Sequence, residues 1–454
     1  MPLRVRHLPL FVLLAVVAAS FAFHVDRATH PTSSYQSADE RSYGKLAIDL
    51  AENGHYGAKE TGMTEPLHWP PGAPVLFAIG HAAFGVESSL ESFDIPAAYW
   101  SHAFLGVGTL LAAFGLAWAL AGIWAGVGAA ALVGLYPPLI LATGEQVSEP
   151  LGAFLLTAGM CALALAARRA WWPGIAAAGV LLGLLVLTRA DLVLVPFLAA
   201  ALVGLWQWRG RGMPRRGALW AGLLLGGALL TIAPWTIYAS QRQGSFVPVT
   251  VGSASPLFIG TYLPGDGHTV GMKRALEAEV KRFRPELTDI PAFEIDAGNY
   301  MDMVAARHPR LSRDAAIRRE ARENLREYAL GDPLEFAVLM ADKVQRMWTR
   351  YARGGARPTD PFIRAWHIVL VAGAFAGMVL GGRRRRSVPI LLVLLAALYS
   401  TALHTLVVSQ ARYNLPLMPA VLAAGLAGWI LWARGRRPQA AAAARSARVP
   451  GGRA

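Results

Sequence analysis

The chain is poor in most of what a soluble enzyme of its length carries. Its 454 residues include one cysteine, Cys161, and that lies inside an apolar run. One thiol can form neither an intrachain disulfide nor a thiolate metal site. Only 16% of the residues are charged and 54% are hydrophobic, far from the balance of about 25% charged in ordinary soluble domains. Acidic side chains are scarce beside basic ones, 29 against 43, which leaves a net charge of +14. There is no glycine-rich phosphate loop, no HExxH and no Ser-His-Asp signal, so a nucleotide-binding or zincin reading has nothing to stand on.

What is present instead is a series of long apolar runs. Several are close to the length that crosses a bilayer core of about 30 Å, and they lack the polar stripe of a soluble amphipathic helix. Hydropathy predicts ten spans, at 8–25, 96–121, 123–143, 147–167, 171–188, 190–207, 217–239, 363–382, 387–408 and 413–433. The arginines test this count. Arg4 and Arg6, Arg168 and Arg169, the group Arg209, Arg211, Arg215 and Arg216, the run Arg383 to Arg386, and Arg434, Arg436 and Arg437 all fall on one side. By the positive-inside rule that side is the cytoplasm, so the positive charge is explained without a nucleic-acid partner. Both termini then share the cytoplasmic side. Ser20-Phe21-Ala22 is passable as a leader cleavage site, but with nine spans following, the first is read as an uncleaved signal anchor.

The expected class is therefore an all-α polytopic membrane protein. Its units are an N-terminal membrane domain, 1–239, whose first outer loop is 26–95; an extracytoplasmic segment, 240–362; C-terminal spans, 363–433; and a disordered cytoplasmic tail, 434–454. In the first loop one helix is expected from about Glu40 to Glu52, stopped by Asn53-Gly54. A second follows Trp69-Pro70-Pro71-Gly72 and runs to Phe84, too short to span and suited to the interface. The segment 240–362 is too long for a plain connection. It shows helical patterns at 272–284 and 312–330. A further helix is capped by Asp332, with Pro333 and Glu335 after it, and carries an apolar face of Phe336, Leu339, Met340, Val344 and Met347.

Polar groups collect at the outer ends of the spans. Asp39 and Glu40 are adjacent carboxylates that either cap a helix as solvated spectators or provide a general base. Glu145 and Glu149, four residues apart, could share a helix face; each is either a functional group at the bilayer edge or a wet helix end. Arg189, with Asp191, and Arg412, with Tyr413, lie on the side where positive charge is disfavoured. They either grip a phosphate bidentately or snorkel to lipid headgroups. His68 beside Trp69 is an acid/base or sugar-contacting candidate, or simply part of an interfacial turn. His24, His102 and His404 are read as packing. An enzyme that works outside the cytoplasm without a nucleotide site needs an activated donor already there, and a polyprenyl-phosphate sugar meets that need.

The pattern Asp39-Glu40-x-x-Tyr43, Asn53-Gly54-His55-Tyr56 and Trp69-Pro70-Pro71-Gly72-Ala73-Pro74 resembles the first outer loop of GT-C glycosyltransferases. The likeness is to bacterial relatives of dolichyl-phosphate-mannose–protein mannosyltransferase, glycosyltransferase family 39, which includes the aminoarabinose transferases of lipid A. It continues at Ser148-Glu149-Pro150-Leu151, Leu187-Thr188-Arg189, Ala233-Pro234-Trp235, Gly244-x-Phe246-Val247-Pro248 and Ala411-Arg412-Tyr413-x-x-Pro416-x-x-Pro419. The resemblance implies a multi-pass enzyme of the bacterial cytoplasmic membrane with its site facing outward. It implies inverting transfer from a polyprenyl-phosphate sugar to a protein, lipid or glycan acceptor, with Asp39 as base and Glu40 positioning the acceptor. Arg412 and Arg189 would bind the donor phosphate, and Tyr43, His68, Glu145, Glu149 and Tyr413 would contact substrate. Some family members bind a divalent metal ion and others need none; Asp39 and Glu149 would be its ligands here. Two departures are that Ala190 stands where relatives carry proline, and that the outer segment has no recognisable soluble-domain motif. The rival readings are a transporter or lipid-linked sugar flippase, which wants polar groups mid-span, and a non-catalytic assembly subunit.

Overall fold

A computed structural model of the chain describes residues 3–31, 38–57, 66–84, 95–350, 361–382 and 388–446. The described residues are helical, with no strand among them. In chain order the helices are α1 Leu3–Thr29, α2 Ala38–Asn53, α3 Gly72–Phe84, α4 Pro96–Ala121, α5 Ile123–Gly134, α6 Pro137–Leu141, α7 Glu149–Arg169, α8 Trp172–Thr188, α9 Val195–Leu205 and α10 Pro214–Gln243. Then follow α11 Ala254–Thr261, α12 Thr269–Ala275, α13 Glu277–Phe283, α14 Ala297–Ala306, α15 Arg313–Asn324, α16 Pro333–Thr349, α17 Pro361–Gly382, α18 Val388–Leu406 and α19 Met418–Ser446.

Among the described residues eight helical stretches are long and apolar enough to cross a bilayer, and a ninth is α5 with residues 137–144, bent by 51°. The bend falls where Pro137 and Pro138 follow Leu135 and Tyr136, because proline cannot continue the preceding ladder. The tenth expected span is α8, whose 17 residues sit at the short end of the spanning range. Small residues let the spans approach closely, the usual device where lipid supplies no hydrophobic drive. A Cβ on Gly377 of α17 would lie 2.2 Å from the Gly425 carbonyl of α19. The last helix continues to Ser446, past residue 434, where the sequence reading begins an irregular tail. The Arg383–Arg386 run and Ser37 lie outside the described residues.

Two smaller cores sit beyond the bundle. The first loop packs Tyr43, Ala47 and Ile48 of α2 against Ala73 and Phe77 of α3 and Ile95. Helix α2 stops where expected, at Asn53, with Gly54 at φ +65°, a conformation that costs glycine nothing. The outer segment has its own core, with Phe258, Met272, Val280, Tyr300, Val304 and Ile317 buried together. The two are sewn to each other. Val251 N donates to the Leu67 carbonyl at 3.0 Å, and Arg242 Nη2 donates to the Gly57 carbonyl at 2.7 Å.

Helix α16 begins as its sequence dictates, with the Asp332 side chain accepting from Glu335 N at 3.1 Å. Its buried face corrects the expected one. Val344 is exposed, and the position between Leu339 and Met347 is filled by Lys343. The Lys343 ammonium is buried at 1% exposure and donates to the Gly260 carbonyl at 2.8 Å. A lysine whose head finds a carbonyl inside satisfies the burial rule, although a count of apolar residues places it on the wet side.

Candidate active site

Four helix ends meet at one end of the bundle. Asp39 comes from the first turn of α2, Glu149 from the first residue of α7, Arg189 from the residue that ends α8, and Arg412 from the 3₁₀ turn Ala411–Asn414 before α19. A carboxylate at a helix N-terminus is favoured by the dipole there, and Pro150 suits the first turn because the N–H it lacks would have no partner.

The charges interlock. Arg412 Nη2 pairs with Asp39 Oδ2, and Arg412 Nε lies 3.4 Å from Glu149 Oε1. Arg189 Nη1 approaches the same Glu149 oxygen at 3.2 Å. The other edge of Arg189 grips Asp191 with two bonds, of 3.0 and 3.2 Å. Three carboxylates thus face two guanidiniums. Glu149 is 2% exposed, yet among the described residues neither of its oxygens accepts an aligned hydrogen bond. The ion-pair distances and the missing hydrogen bonds describe one arrangement: the guanidiniums are near enough for Coulomb attraction but do not point their N–H groups at Glu149. Burial alone would lower the Arg412 proton affinity, and Asp39 and then Glu149 hold it well above its ordinary value.

Tyr413 lies beside both cations, its ring 5.4 Å from the Arg189 Cζ and 5.7 Å from that of Arg412, within cation–π range. His404 stacks on Tyr413 with centroids 4.4 Å apart and places Nε2 3.2 Å from Asp191 Oδ2. Tyr399 donates to the Asp191 carbonyl at 2.7 Å. His404 was expected to be packing; instead it belongs to the chain Arg189–Asp191–His404. Its signal in the sequence was its place, at the same end of the bundle as Arg412. Tyr43 donates to Ser148 Oγ at 3.2 Å, and burial, then the Glu149 charge, push its hydroxyl up.

Other expected residues are placed differently. Glu40 is buried and accepts from Gln146 N at 3.3 Å, while Gln146 Oε1 accepts from Ile95 N at 2.9 Å. Glu40 therefore ties α2 to the turn before α7. Glu145 does not share a helix face with Glu149. Its backbone is extended, φ −130° and ψ 141°, because helix α7 starts only at Glu149. His68 packs edge-on to Trp69 at 5.1 Å, and Trp69 in turn packs on Tyr43 at 5.2 Å. That aromatic relay links it to Tyr43, which faces the charged cluster. Arg189 and Arg412 turn inward, at 9% and 15% side-chain exposure, and do not reach out to headgroups.

Asp39 and Glu149 do not fit a divalent cation in this arrangement. Both carboxylates already face guanidiniums, whose positive charge such an ion would have to displace before either could serve as a ligand. The outer segment brings together His308, Glu320 and Glu323, but the two Glu320 oxygens are taken by Arg307 and His308, each at 2.7 Å.

Fold and site together define a multi-pass α-helical membrane protein with a buried ionic cluster where its helix ends converge. The fold is that of the GT-C glycosyltransferases. Over 100% of its length the chain is similar to 53% of the archaeal oligosaccharyltransferase AglB from Archaeoglobus fulgidus in complex with an inhibitory peptide and a dolichol-phosphate, with a TM-score of 0.58 and 17% identity. The Archaeoglobus fulgidus oligosaccharyltransferase tethered to an acceptor peptide with the NVT sequon is similar at a TM-score of 0.54 and 16% identity, over 94% of this chain and 50% of that one. ArnT from Cupriavidus metallidurans, bound to undecaprenyl phosphate, aligns at a TM-score of 0.38 and 17% identity, over 96% and 78%. The chain thus spans about half the length of the oligosaccharyltransferases it matches. No family model matches the sequence, and no curated protein matches it.

Proposed function

We propose that the chain is an integral membrane glycosyltransferase that moves a sugar from a polyprenyl-phosphate donor to an acceptor hydroxyl. The observation that carries this reading is a carboxylate, Asp39, held at a helix start against Arg412, next to a second inward-facing guanidinium, Arg189. That is a base beside a seat for an anion. The solved oligosaccharyltransferase in complex with a dolichol-phosphate supports a donor of this chemical class. The arginine asymmetry of the loops supports a site facing out of a bacterial cytoplasmic membrane.

In the proposed step Asp39 takes the acceptor proton as the acceptor oxygen attacks the anomeric carbon. The bond from that carbon to the phosphate oxygen breaks, the configuration inverts, and polyprenyl phosphate leaves. The charge that develops on the phosphate is stabilised by Arg412 and Arg189 at the low-dielectric edge of the bilayer. Three carboxylates already compete for those two cations, so donor binding exchanges a carboxylate for a phosphate at Arg412. Glu149, held by proximity and not by aligned hydrogen bonds, is the partner easiest to exchange. Glu40 holds α2 in place, and the acceptor rests on the Tyr43–Trp69–His68 side.

The test is transfer by purified protein in proteoliposomes with a panel of radiolabelled polyprenyl-phosphate sugars. One donor should be turned over by wild type and not by Asp39→Asn. Equal incorporation by both proteins would remove Asp39 as base, and no incorporation from any donor would remove the donor class.

A further inference from the structure

The span that starts beside Arg189 ends, 21 residues later, at Gly210, so its far end lies about 30 Å from the ionic cluster. There α9 and α10 leave an apolar groove of about 510 Å³, walled by Phe197, Ala201, Gly204, Trp208, Gly217 and Ala218 among others. The end of α9 loosens into a π-turn, Trp206–Gly210, a form that clusters at functional sites. The turn buries Gln207 completely, and among the described residues neither end of its amide has a hydrogen-bond partner. A Cβ added at Gly217 would stand 3.3 Å from the Gln207 Cβ, so the side chain that carries this unsatisfied amide starts directly beside the groove wall. An unpaired amide at bilayer depth is costly. Arg209, Arg215 and Arg216 adjoin lining residues in the chain, and Arg211 lies between Trp208 and Pro214. Arg211 lies over Trp206 at 4.2 Å and Arg216 over Trp220 at 4.8 Å. Among the described residues none of the four arginines is paired with a carboxylate.

We propose that this groove is a binding site for an anionic phospholipid. Its phosphate is held by the arginine group, one acyl chain lies along the wall, and an ester oxygen takes the Gln207 amide once that side chain turns toward Gly217. From Phe197 to Trp208 the wall is 12 residues long, about 16 Å of helix from first to last. That matches one leaflet of a core of about 30 Å, an acyl chain and not a polyprenyl one. Four cations without carboxylate partners select for negative charge, which the apolar wall alone cannot do.

The full-length protein in detergent, titrated with phosphatidylglycerol, phosphatidylcholine or undecaprenyl phosphate and read by native mass spectrometry, tests this. Phosphatidylglycerol should be retained at least tenfold over phosphatidylcholine. Each arginine removed should weaken retention about fivefold, so Arg209→Gln with Arg215→Gln should lose about 25-fold. Ala218→Trp, or Ala201→Trp if the first does not fold, should fill the groove and abolish the preference. Equal retention of the two phospholipids, or wild-type retention in the filled variant, would overturn the site. Undecaprenyl phosphate held more tightly than phosphatidylglycerol by wild type, and released by the filled variant, would overturn the choice of lipid. Should both filled variants misfold, the arginine pair alone decides.

Discussion

Arg412→Ala separates a phosphate-binding arginine from a structural one. In the native arrangement Arg412 touches Asp39, Glu149 and Tyr413. Stripping one partner from a buried ion pair costs about 3–5 kcal/mol when the remaining charge is left bare. Here the cost is discounted. Glu149 keeps Arg189 at 3.2 Å, and Asp39 is 26% exposed, so water reaches it. We expect about 2 kcal/mol of lost stability, a thermal shift of a few degrees that leaves the fold standing. The effect on transfer should be larger, because a donor aimed at developing charge is worth about 10²–10³ in rate. Arg412→Lys keeps the charge but loses the planar fork, and should recover about tenfold of that loss. The assay is single-turnover transfer in proteoliposomes beside thermal unfolding in detergent. Wild-type turnover in Arg412→Ala would refute the reasoning, as would a rate loss no larger than the stability loss explains.

Asp39→Asn should cut transfer by about 10²-fold or more while the folded yield in membranes falls only slightly, since Arg412 keeps Glu149 at 3.4 Å; a silent substitution would return Asp39 to the role of a charge at a helix start. Burial, and next the Arg346 charge, push the Lys343 ammonium down to about 7. The unfolded chain, with an ordinary value near 10.5, therefore binds more protons between about pH 7 and 10.5, and wild-type stability should gain across that window. Lys343→Met should flatten the gain in melting scans taken at each pH, and parallel wild-type and variant profiles would count against a buried ammonium. Asp332→Ala should cost about 1 kcal/mol through loss of the cap on Glu335 N, read as a lower midpoint with transfer per folded molecule unchanged. Gly72→Ala should lower both stability and activity, because its Cβ would fall 2.3 Å from Thr188 Oγ1, one residue from Arg189; full activity in that variant would mean that α3 and α8 can part freely.

The ends of elements were legible where a local rule decides them. Asn53-Gly54 stopped α2, and Asp332-Pro333 started α16, because caps and left-handed glycines act over three or four residues. The charged cluster was legible as a set of residues at one end of the spans, since arginines away from the basic loops and carboxylates at helix starts stand out against apolar runs. What the sequence hid was pairing. That Glu149 faces both arginines, and that His404 reaches Asp191, depends on contacts between residues from 40 to more than two hundred positions apart, which no periodicity encodes. Lys343 was missing from the expected apolar face of α16 because it carries a charge, whereas it is buried against the Gly260 carbonyl, and Glu40 likewise lies buried against Gln146 N. Glu145 failed on local conformation, because the four-residue spacing counts as one face only if the helix has already begun.

The turn that carries Arg412 is fastened to the outer segment at several points. Val408 N donates to the Pro256 carbonyl at 2.8 Å, Ser409 to the Lys343 carbonyl at 3.0 Å, and Asn414 to the Met347 carbonyl. This bears on how such a chain can be recombined. Residues 240–350 are not a cassette to be traded between homologues at their two visible joints. A graft that brings a foreign segment but keeps the native 407–415 turn would pull the guanidinium out of register with Asp39. A working chimera has four seams, with the stretch around Arg412 travelling alongside the segment it is bonded to, although some sixty residues and two spans separate them in the chain.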